Sequence, residues 1–331
     1  MPTLYITEQG FVVHKKSERF VITKDGAPIL EMPARKIECV AIFGNVQLTT
    51  QAIVYFLMKG IDVTFLSSKG SYYGQLQAPC LKDPFVKQRQ VQASGNEEFC
   101  LVIAKKFICG KLSNQRVILL RNLRRKDNQV VKRNVKKLAD LIKRVDDASS
   151  VDSVRGYEGL AAVYYYRSLG QLVLPEFAFA RRSKRPPRDF TNSLLSFGYT
   201  LLVYNVISAL NIAGLDPYIG FLHQPRTGKS SLALDLMEEF RPIIVDSFVL
   251  KVINSRILNT DDFCWDKAGG VFLKDEGRKK FLAEYEKRVL TKTRYFDEKT
   301  YTYRQIFELQ ARAIARGLKS GAKVYKPMMV K

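Results

Sequence analysis

Apolar positions in the first 78 residues form short runs typical of strands, and turn signals separate them. The runs RFVITK, IECVAIF, IDVTFL and SYYGQL are rich in β-branched and aromatic residues, which favour strands. The first run is followed by Asp25-Gly26, a pair that favours a tight hairpin turn. Between the runs, TTQAIVYFLMKG predicts one short helix that Thr49 or Thr50 caps and Gly60 ends. Residues 1–78 are therefore predicted to form a small β-rich domain.

The pattern becomes helical after residue 84. Two prolines and a charged pair in residues 79–84 predict a linker. Beyond it, apolar residues recur with a helical period in NEEFCLVIAKKFICGKLSNQRVILLRNL and YRQIFELQARAIARGLKS. Pro242 predicts the start of a separate helix, where its missing N–H costs no hydrogen bond. The sequence thus predicts an α+β protein, in which a small N-terminal β-rich domain precedes a larger all-α C-terminal domain over 85–331.

Residues 191–215 form an uncharged, largely apolar stretch that is long enough to span a membrane. Polar residues interrupt it at intervals of three or four, which places them along one side of a helix. They are Ser193, Ser196, Thr200, Tyr204, Ser208 and Asn211. This stripe favours a core helix with one side toward a polar site over a membrane span.

The charge of the chain favours an anionic partner. The 331 residues contain 54 lysines and arginines against 32 aspartates and glutamates, a formal net charge of +22. An apolar fraction of 46 % excludes a disordered polycation. Nucleic acid is the first candidate partner, because lysine and arginine contacts to phosphate dominate such binding. The alternative is a basic protein without such a partner.

The five cysteines have no CxxC spacing, which argues against a disulfide framework and against a thiolate zinc site. The N-terminal residues lack a basic segment followed by an apolar core, so no secretory signal is expected. Both observations predict a cytoplasmic protein.

Basic residues gather in two clusters, around residues 121–144 and 181–188. A solvated helix face is the alternative for either cluster alone. Two clusters near a run of tyrosines favour a nucleic-acid surface. The candidate DNA-binding residues are Arg124, Arg125, Lys126, Lys132, Arg133, Tyr165, Arg181, Arg182, Lys184, Arg185 and Arg188.

Acidic residues and one histidine offer candidate chemistry. Asp235 and Glu238 follow His223 and share one face of a predicted helix. A histidine near carboxylates can hold a divalent cation, although acids at this spacing are also common on solvated faces. Glu158 lies between Gly156 and Gly159, which permit close approach of a substrate. The alternative for Glu158 is an acid near a helix N-terminus, where the dipole favours it.

The segment HQPRTGKS, residues 223–230, ends like a phosphate-binding P-loop. A complete P-loop begins with glycine, where this chain has His223. No clear strand precedes the segment, so the sequence argues against a nucleotide triphosphatase.

The chain closely resembles the CRISPR-associated adaptation integrases, the first of the universal CRISPR-associated proteins. The resemblance covers nearly the whole chain and rests on IECVAIFGNVQLTTQAI, GIDVTFLSSKGSYYGQL, GYEGLAAVYYY and the segment from RPPRDFTNSLLSFGYT to GFLHQPRTGKSSLALDLMEEFRP. It implies an N-terminal β domain and a helical domain that holds a metal site. The implied catalytic and metal-binding residues are Glu158, His223 and Glu238, with Asp235 as a possible assisting acid.

The resemblance also implies what the protein acts on and with. It implies a metal-dependent DNA endonuclease and integrase that uses Mg²⁺ or Mn²⁺ and inserts short foreign DNA into a CRISPR array. The implied partners are double-stranded DNA (the protospacer and the CRISPR repeat), a second copy bound through the β domain, and the second CRISPR-associated protein. The alternative is a non-catalytic DNA-binding scaffold, which would have no reason to keep all three site residues.

Overall fold

The computed structural model describes residues 3–77, 84–124, 127–320 and 325–330. The chain forms two compact units. The first comprises Met1–Leu81 and Asp275–Leu290, and the second comprises Lys82–Lys274 and Thr291–Lys331. Of the linker predicted at 79–84, all but Pro84 lies outside the described residues.

The first unit contains two four-stranded sheets, one helix that lies between their strands in the chain, and a helix from the C-terminal part of the chain. Its N-terminal elements are β1 (Thr3–Ile6), β2 (Phe11–Lys16), β3 (Arg19–Lys24), β4 (Ala27–Pro33), β5 (Cys39–Phe43), β6 (Gln47–Leu48), α1 (Thr50–Lys59), β7 (Asp62–Leu66) and β8 (Tyr72–Leu76). One sheet has the order β1-β5-β7-β8 and the other β4-β3-β2-β6. The core of this unit includes the fully buried Val13, Phe20, Phe56 and Val63.

Local turn chemistry explains how these elements end. Lys24 pairs with Ala27, so Asp25 and Gly26 alone connect β3 to β4. Both residues have positive φ, 50° and 82°, as this kind of hairpin turn requires. Thr49 caps α1 by accepting a hydrogen bond from the N–H of Ala52, and Gly60 ends it with a φ of 65°.

The rest of the chain is mainly helical. Its elements are α2 (Phe85–Ser94), α3 (Glu97–Leu123), α4 (Gln129–Asp146), α5 (Val151–Leu169), α6 (Phe190–Ile212), α7 (Ser231–Phe240), α8 (Ser247–Asn254), β9 (Phe263–Trp265), β10 (Val271–Leu273), α9 (Asp275–Val289), β11 (Lys292–Arg294), β12 (Thr300–Thr302) and α10 (Tyr303–Ser320). The strands form two short hairpins, β9 with β10 and β11 with β12, which the prediction of an all-α domain did not include.

Polar caps fix the beginnings of the long helices. Asn96, Asn128, Ser150 and Asp189 each accept a hydrogen bond from the backbone N–H three residues later. Such caps satisfy N–H groups that a helix leaves unpaired at its first turn. The helix α3 contacts α4, α5 and α7, so it lies at the centre of the second unit.

The helix α9 belongs to the first unit, although the sequence prediction assigned all of 85–331 to the helical domain. Its Glu286 accepts hydrogen bonds from the backbone N–H of Thr3, at 2.9 Å, and from the hydroxyl of Tyr5, at 3.0 Å. Its Arg278 donates to the carbonyl oxygen of Ser68 at 2.6 Å. These polar contacts tie the helix to the N-terminal strands.

The prediction that Pro242 begins a separate helix is wrong. The backbone continues from α7 to α8 through a π-helical turn over Arg241–Asp246. In this turn the N–H of Ser247 donates to the carbonyl oxygen of Pro242, five residues earlier. A wider π turn accommodates the missing N–H of proline without breaking the helix.

The helix α6 is the one described helix that is long and apolar enough to cross a membrane by length and composition. Within its most apolar window, 61 % of the residues are buried inside the protein. Of the predicted polar stripe, Ser196 accepts a hydrogen bond from Arg182 at 3.0 Å. This is the environment of a core helix with one side toward polar groups.

Candidate active site

Glu158 lies in the third turn of α5, and 31 % of its side chain is exposed. Its neighbours Gly156 and Gly159 are exposed, and a Cβ added at either would meet no atom within 4 Å. The packing of the protein itself therefore does not require glycine at these positions. The helix presents bare backbone beside Glu158, where an external partner can approach closely.

His223 lies in the segment between α6 and α7, and Asp235 holds it in place. The carboxylate of Asp235 is fully buried and accepts from the backbone N–H of Phe221, Leu222 and His223 at 2.6–2.9 Å. It also lies 2.7 Å from Nδ1 of His223. A carboxylate oxygen can only accept, so Nδ1 carries a proton, and in the neutral imidazole Nε2 keeps its lone pair.

Two further features support this arrangement. A Cβ at Gly220 would lie 2.8 Å from Oδ2 of Asp235, so glycine is needed where the backbone approaches the carboxylate. Arg155 on α5 donates to the carbonyl oxygen of Leu222 at 2.5 and 2.8 Å. This contact ties the helix of Glu158 to the segment that carries His223. Asp235, expected to assist, thus orients the histidine instead of facing the cavity.

Glu238 lies on α7, and 5 % of its side chain is exposed. Its Oε2 is 2.6 Å from Nζ of Lys111, and its Oε1 is 3.2 Å from Nε of Arg241. Burial alone would raise the pKa of the Glu238 carboxyl, but the charges of Arg241 and Lys111 outweigh it and lower this pKa. Glu238 is therefore an ionised carboxylate at neutral pH.

Glu158, His223 and Glu238 line one cavity of about 730 Å³. Cations form much of the remaining wall, together with apolar and aromatic side chains. The other lining residues are Lys111, Ala162, Val163, Tyr166, Arg167, Gln171, Phe179, Ala180, Arg181, Arg182, Lys184 and Arg241. The structure thus brings together three residues that lie up to 80 positions apart in the sequence.

A lysine stands between the two carboxylates of this cavity. Nζ of Lys111 contacts Oε1 of Glu158 as well as Glu238. In the part of the chain that the structure describes, no three His, Cys, Asp or Glu side chains are grouped so as to hold a metal ion. The two carboxylates and the imidazole nevertheless offer the oxygen and nitrogen donors that a divalent cation takes.

The sequence reasoning missed Lys111, Arg241 and the buried network behind them. Asp246 accepts hydrogen bonds from the hydroxyls of Tyr165 and Tyr199. The guanidinium of Arg241 lies over the ring of Tyr199, 4.8 Å from its centroid. The sequence did contain one signal for Lys111. It lies three residues after Ile108 and next to Leu112 on α3, and both of these residues are buried. A charged residue on the side of a helix that faces the core indicates a charged partner.

The resemblance to a P-loop does not extend to the structure. The long helix α6, and no strand, precedes residues 223–230. The segment Arg241–Asp246, which follows α7, is a π turn and not a strand. The side chain of His223 is held by Asp235, as described above.

A family model described as CRISPR associated protein Cas1 matches residues 4–287. The chain belongs to the Cas1 family. A relative from Rhodospirillum rubrum, the CRISPR-associated endonuclease Cas1 2, is 36 % identical over 337 residues, which cover 98 % of this chain and 97 % of the relative. The resemblance deduced from the sequence is thereby confirmed.

Solved structures show the same fold. A casposase bound to integration product superposes with a TM-score of 0.86 at 26 % identity and covers 100 % of this chain and 96 % of its own. A chain of a Cas6-RT-Cas1–Cas2 complex superposes with a TM-score of 0.84 at 24 % identity, covering 99 % of this chain and 36 % of its own. The fold of a β-rich N-terminal part followed by a mainly helical part is therefore that of the Cas1 family.

The predicted DNA-binding residues of this Cas1-family chain have mixed environments. Arg124, Lys132, Arg133, Arg181, Lys184, Arg185 and Arg188 are exposed. Lys132 pairs with Asp127 at 2.6 Å, and Arg188 donates to the carbonyl oxygen of Ala268 at 2.7 Å. Arg125 and Lys126 lie outside the described residues. Of the second cluster, Arg181, Arg182 and Lys184 line the cavity.

One residue of that set needs correction. Tyr165 is fully buried, and its hydroxyl donates to Asp246 at 2.9 Å, so its ring cannot reach DNA. Arg182 is half-buried and donates to Asn192 and Ser196. Its first role is therefore to fix the wall of the cavity.

Proposed function

We propose that this member of the Cas1 family, a CRISPR-adaptation endonuclease and integrase, carries out its chemistry in the cavity of Glu158, His223 and Glu238. The observation that carries this proposal is the convergence of these three residues on one cavity whose wall is rich in cations. Carboxylates bind a metal ion, and surrounding cations attract a polyanion. The reaction is cleavage of a phosphodiester when water attacks, and strand transfer when a DNA 3′-hydroxyl attacks.

Glu158, His223 and Glu238 would hold a divalent ion, Mg²⁺ or Mn²⁺. The fit is supported by the two carboxylates meeting at one cationic group and by the orientation of the imidazole, whose Nε2 keeps its lone pair. Carboxylate oxygens suit both ions, and a nitrogen ligand makes Mn²⁺ at least as suitable as Mg²⁺. When bound, the ion polarises the scissile phosphate and stabilises charge on the attacking and leaving oxygens.

The residues of the chain prepare this site. Asp235 orients His223, and the charges of Lys111 and Arg241 keep Glu238 ionised. Arg181 and Lys184 line the cavity and are exposed, so they are placed to bind phosphate oxygens on either side of the reacting bond. In strand transfer the 3′-hydroxyl of the incoming DNA loses its proton and its oxygen bonds to phosphorus of the target strand. The bond from that phosphorus to the 3′-oxygen of the target strand breaks, and the leaving oxygen takes up a proton.

The proposed partners are double-stranded DNA, a second copy of the chain and the second CRISPR-associated protein. A homodimer through the β-rich unit is supported by exposed apolar side chains on β4 and α1. They are Ile29, Leu30, Val54 and Met58, with 58 %, 46 %, 45 % and 80 % of their surface exposed. Several large apolar side chains exposed on one small unit favour an interface. The second CRISPR-associated protein is proposed from the family, whose fold also occurs in the complex with Cas2 described above.

The alternative is a scaffold that binds DNA without chemistry, and His223→Ala separates the two functions. We expect this variant to lose strand transfer and to keep its affinity for a duplex, because His223 is a proposed metal ligand, whereas lysine and arginine side chains make the phosphate contacts. His14→Ala is the matched control, since His14 is the other histidine and lies on β2. Equal loss of binding and activity, or full activity of His223→Ala, would contradict the proposal.

A further inference from the structure

Lys111 lies on the central helix α3, with 7 % of its side chain exposed. Its ammonium contacts Oε1 of Glu158 and lies 2.6 Å from Oε2 of Glu238. These are the two carboxylates proposed above to hold the metal ion. A cation that belongs to the protein therefore stands between the two proposed acidic ligands.

The environment keeps this lysine charged. Its ammonium contacts the carboxylates of Glu158 and Glu238, and such charge-assisted contacts favour the charged form of the lysine. Buried ion pairs are costly to desolvate, and apolar side chains often replace them without loss of stability. A buried lysine at this position is therefore explained better by a need for charge between two ionised acids than by packing.

A divalent ion and the ammonium cannot share this position. An ion bound by both carboxylates would lie within a few ångströms of Nζ, where like charges in a buried site repel strongly. The ammonium lies between the two carboxylates, where an ion bound by both of them would also lie. Binding of the ion therefore requires Lys111 to withdraw.

We propose that Lys111 is an internal counter-cation that competes with the divalent ion for Glu158 and Glu238. In the metal-free protein it neutralises the two carboxylates. When the ion binds, the side chain moves away into the cavity that it also lines. Lys111 thus stabilises the metal-free fold and weakens metal binding. The inference rests on the proposed function, since it takes the same carboxylates as ligands.

The test measures Mn²⁺ binding and thermal unfolding of the full chain, without DNA. Lys111→Met removes the charge and keeps the length of the side chain. We expect its unfolding temperature to fall in EDTA and to rise more on addition of Mn²⁺ than that of the wild type. We expect Mn²⁺, followed by electron paramagnetic resonance, to bind about tenfold more tightly, which is within the usual range for coupling between two binding events. A purely structural lysine would give weaker binding on removal.

Lys105→Met is the matched control, because Lys105 lies on the same helix and donates to the carbonyl oxygen of Asp146 in an exposed position. Glu238→Gln tests the metal site itself. If Glu238→Gln binds Mn²⁺ as tightly as the wild type, the proposed site fails and the inference fails with it. If Glu238→Gln loses binding but Lys111→Met binds no more tightly than Lys105→Met, the inference alone is overturned.

Lys111→Gln is measured in parallel, because its neutral amide can still donate a hydrogen bond to one carboxylate. We expect the same direction of change in both variants. Folding of either variant only in the presence of Mn²⁺ would support the inference, since the ion then replaces the ammonium. Failure of both variants to fold even with Mn²⁺ would overturn it.

Discussion

Asp235 shows how one buried residue sets the chemistry of another. Its carboxylate accepts three backbone hydrogen bonds and lies beside Nδ1 of His223. Carboxylates that fix a ligating histidine typically change metal affinity by about 10–100-fold when they are removed. Asp235 is accordingly a positioning residue, and its effect on metal binding should pass through His223.

The first prediction concerns Asp235→Asn. In the wild type both carboxylate oxygens accept hydrogen bonds from backbone N–H groups. The asparagine side chain replaces one of these oxygens with an NH₂ group, which is itself a donor and cannot accept. We expect Mn²⁺ affinity to fall by about 10–100-fold and the free energy of unfolding to fall by about 1–3 kcal/mol. The exposed Asp140→Asn on α4 is the control. Unchanged Mn²⁺ binding in a titration of Asp235→Asn would show that Asp235 does not orient the ligand.

The second prediction concerns the pH dependence of stability. Burial raises the pKa of Glu239 from 4.5 to about 8, against the hydrogen bonds from Gln310 and Tyr325 that lower it. Between these two pKa values the folded protein binds more protons than the unfolded chain, so stability falls as pH rises. The decline is at most about 1.4 kcal/mol per pH unit for one proton.

Glu239→Gln should remove that decline between pH 5 and pH 8, and Glu98→Gln, at an exposed position on α3, should not. Chemical denaturation across this range measures the slope for each protein. Parallel curves for the wild type and Glu239→Gln would show that the Glu239 carboxyl is not protonated in the fold.

At the residue scale, sequence reasoning named the three acidic and histidine residues that the structure brings to one cavity, but not their surroundings. Glu158, His223 and Glu238 stand in recognisable motifs, so they were accessible from the sequence. Lys111 was missed despite its position among the buried residues of α3, because most lysines lie at the surface and its partners are distant in the chain. Tyr165 was misassigned because a run of three tyrosines does not reveal which of them faces inward.

At the element scale, α5 shows a conflict between stability and function. Glycine inside a helix costs about 1 kcal/mol relative to alanine, and no contact within the protein requires Gly159. The helix therefore gives up stability beside Glu158, where a DNA backbone is proposed to approach.

The third prediction is that Gly159→Ala stabilises the protein by about 1 kcal/mol and slows strand transfer. Gly317→Ala on α10 is the matched control, because a Cβ there also meets no atom within 4 Å. It should stabilise the protein without slowing the reaction. Full strand-transfer activity of Gly159→Ala would show that DNA does not approach this side of α5.

Elements with local end signals were predictable, and those that depend on tertiary context were not. Thr49, Gly60 and the Asp25-Gly26 pair fix their boundaries by local hydrogen bonds and φ angles. Pro242 was misread because the π turn that contains it is buried and contacts α3 and α6, and a local rule does not include such contacts.

At the scale of the whole molecule, the excess of positive charge is expected to dominate binding to DNA. Each phosphate contact contributes about 0.9 to the slope of log affinity against log salt concentration. The exposed Arg124 and Arg133 belong to the predicted DNA-binding cluster around residues 121–144.

The fourth prediction is that replacing Arg124 and Arg133 with glutamine lowers this slope by up to about 2. The control replaces Arg256 and Arg294, which already pair with Glu176 and Glu298. Fluorescence anisotropy with a labelled duplex at several salt concentrations measures the slope. An unchanged slope would remove this cluster from the path of the DNA.

The division into two units was only partly predictable at this scale. Composition marks the change from strands to helices near residue 80. The sequence of an amphipathic helix, however, does not indicate which of the two units the helix packs against. The helix α9 joins the first unit through Glu286 and Arg278, whose partners lie more than 200 residues away.

The central claim is that Glu158, His223 and Glu238 form a metal-dependent site that joins DNA ends to a CRISPR array. Its most direct test is a strand-transfer assay with a short labelled duplex, a supercoiled plasmid bearing a CRISPR leader and repeat, and the second CRISPR-associated protein. The wild type and Glu238→Ala are compared in Mg²⁺, Mn²⁺ and EDTA. We predict joining by the wild type only with a divalent ion and none by Glu238→Ala, with duplex binding retained. Joining by Glu238→Ala, or no joining by a wild type that binds the duplex, would contradict the claim.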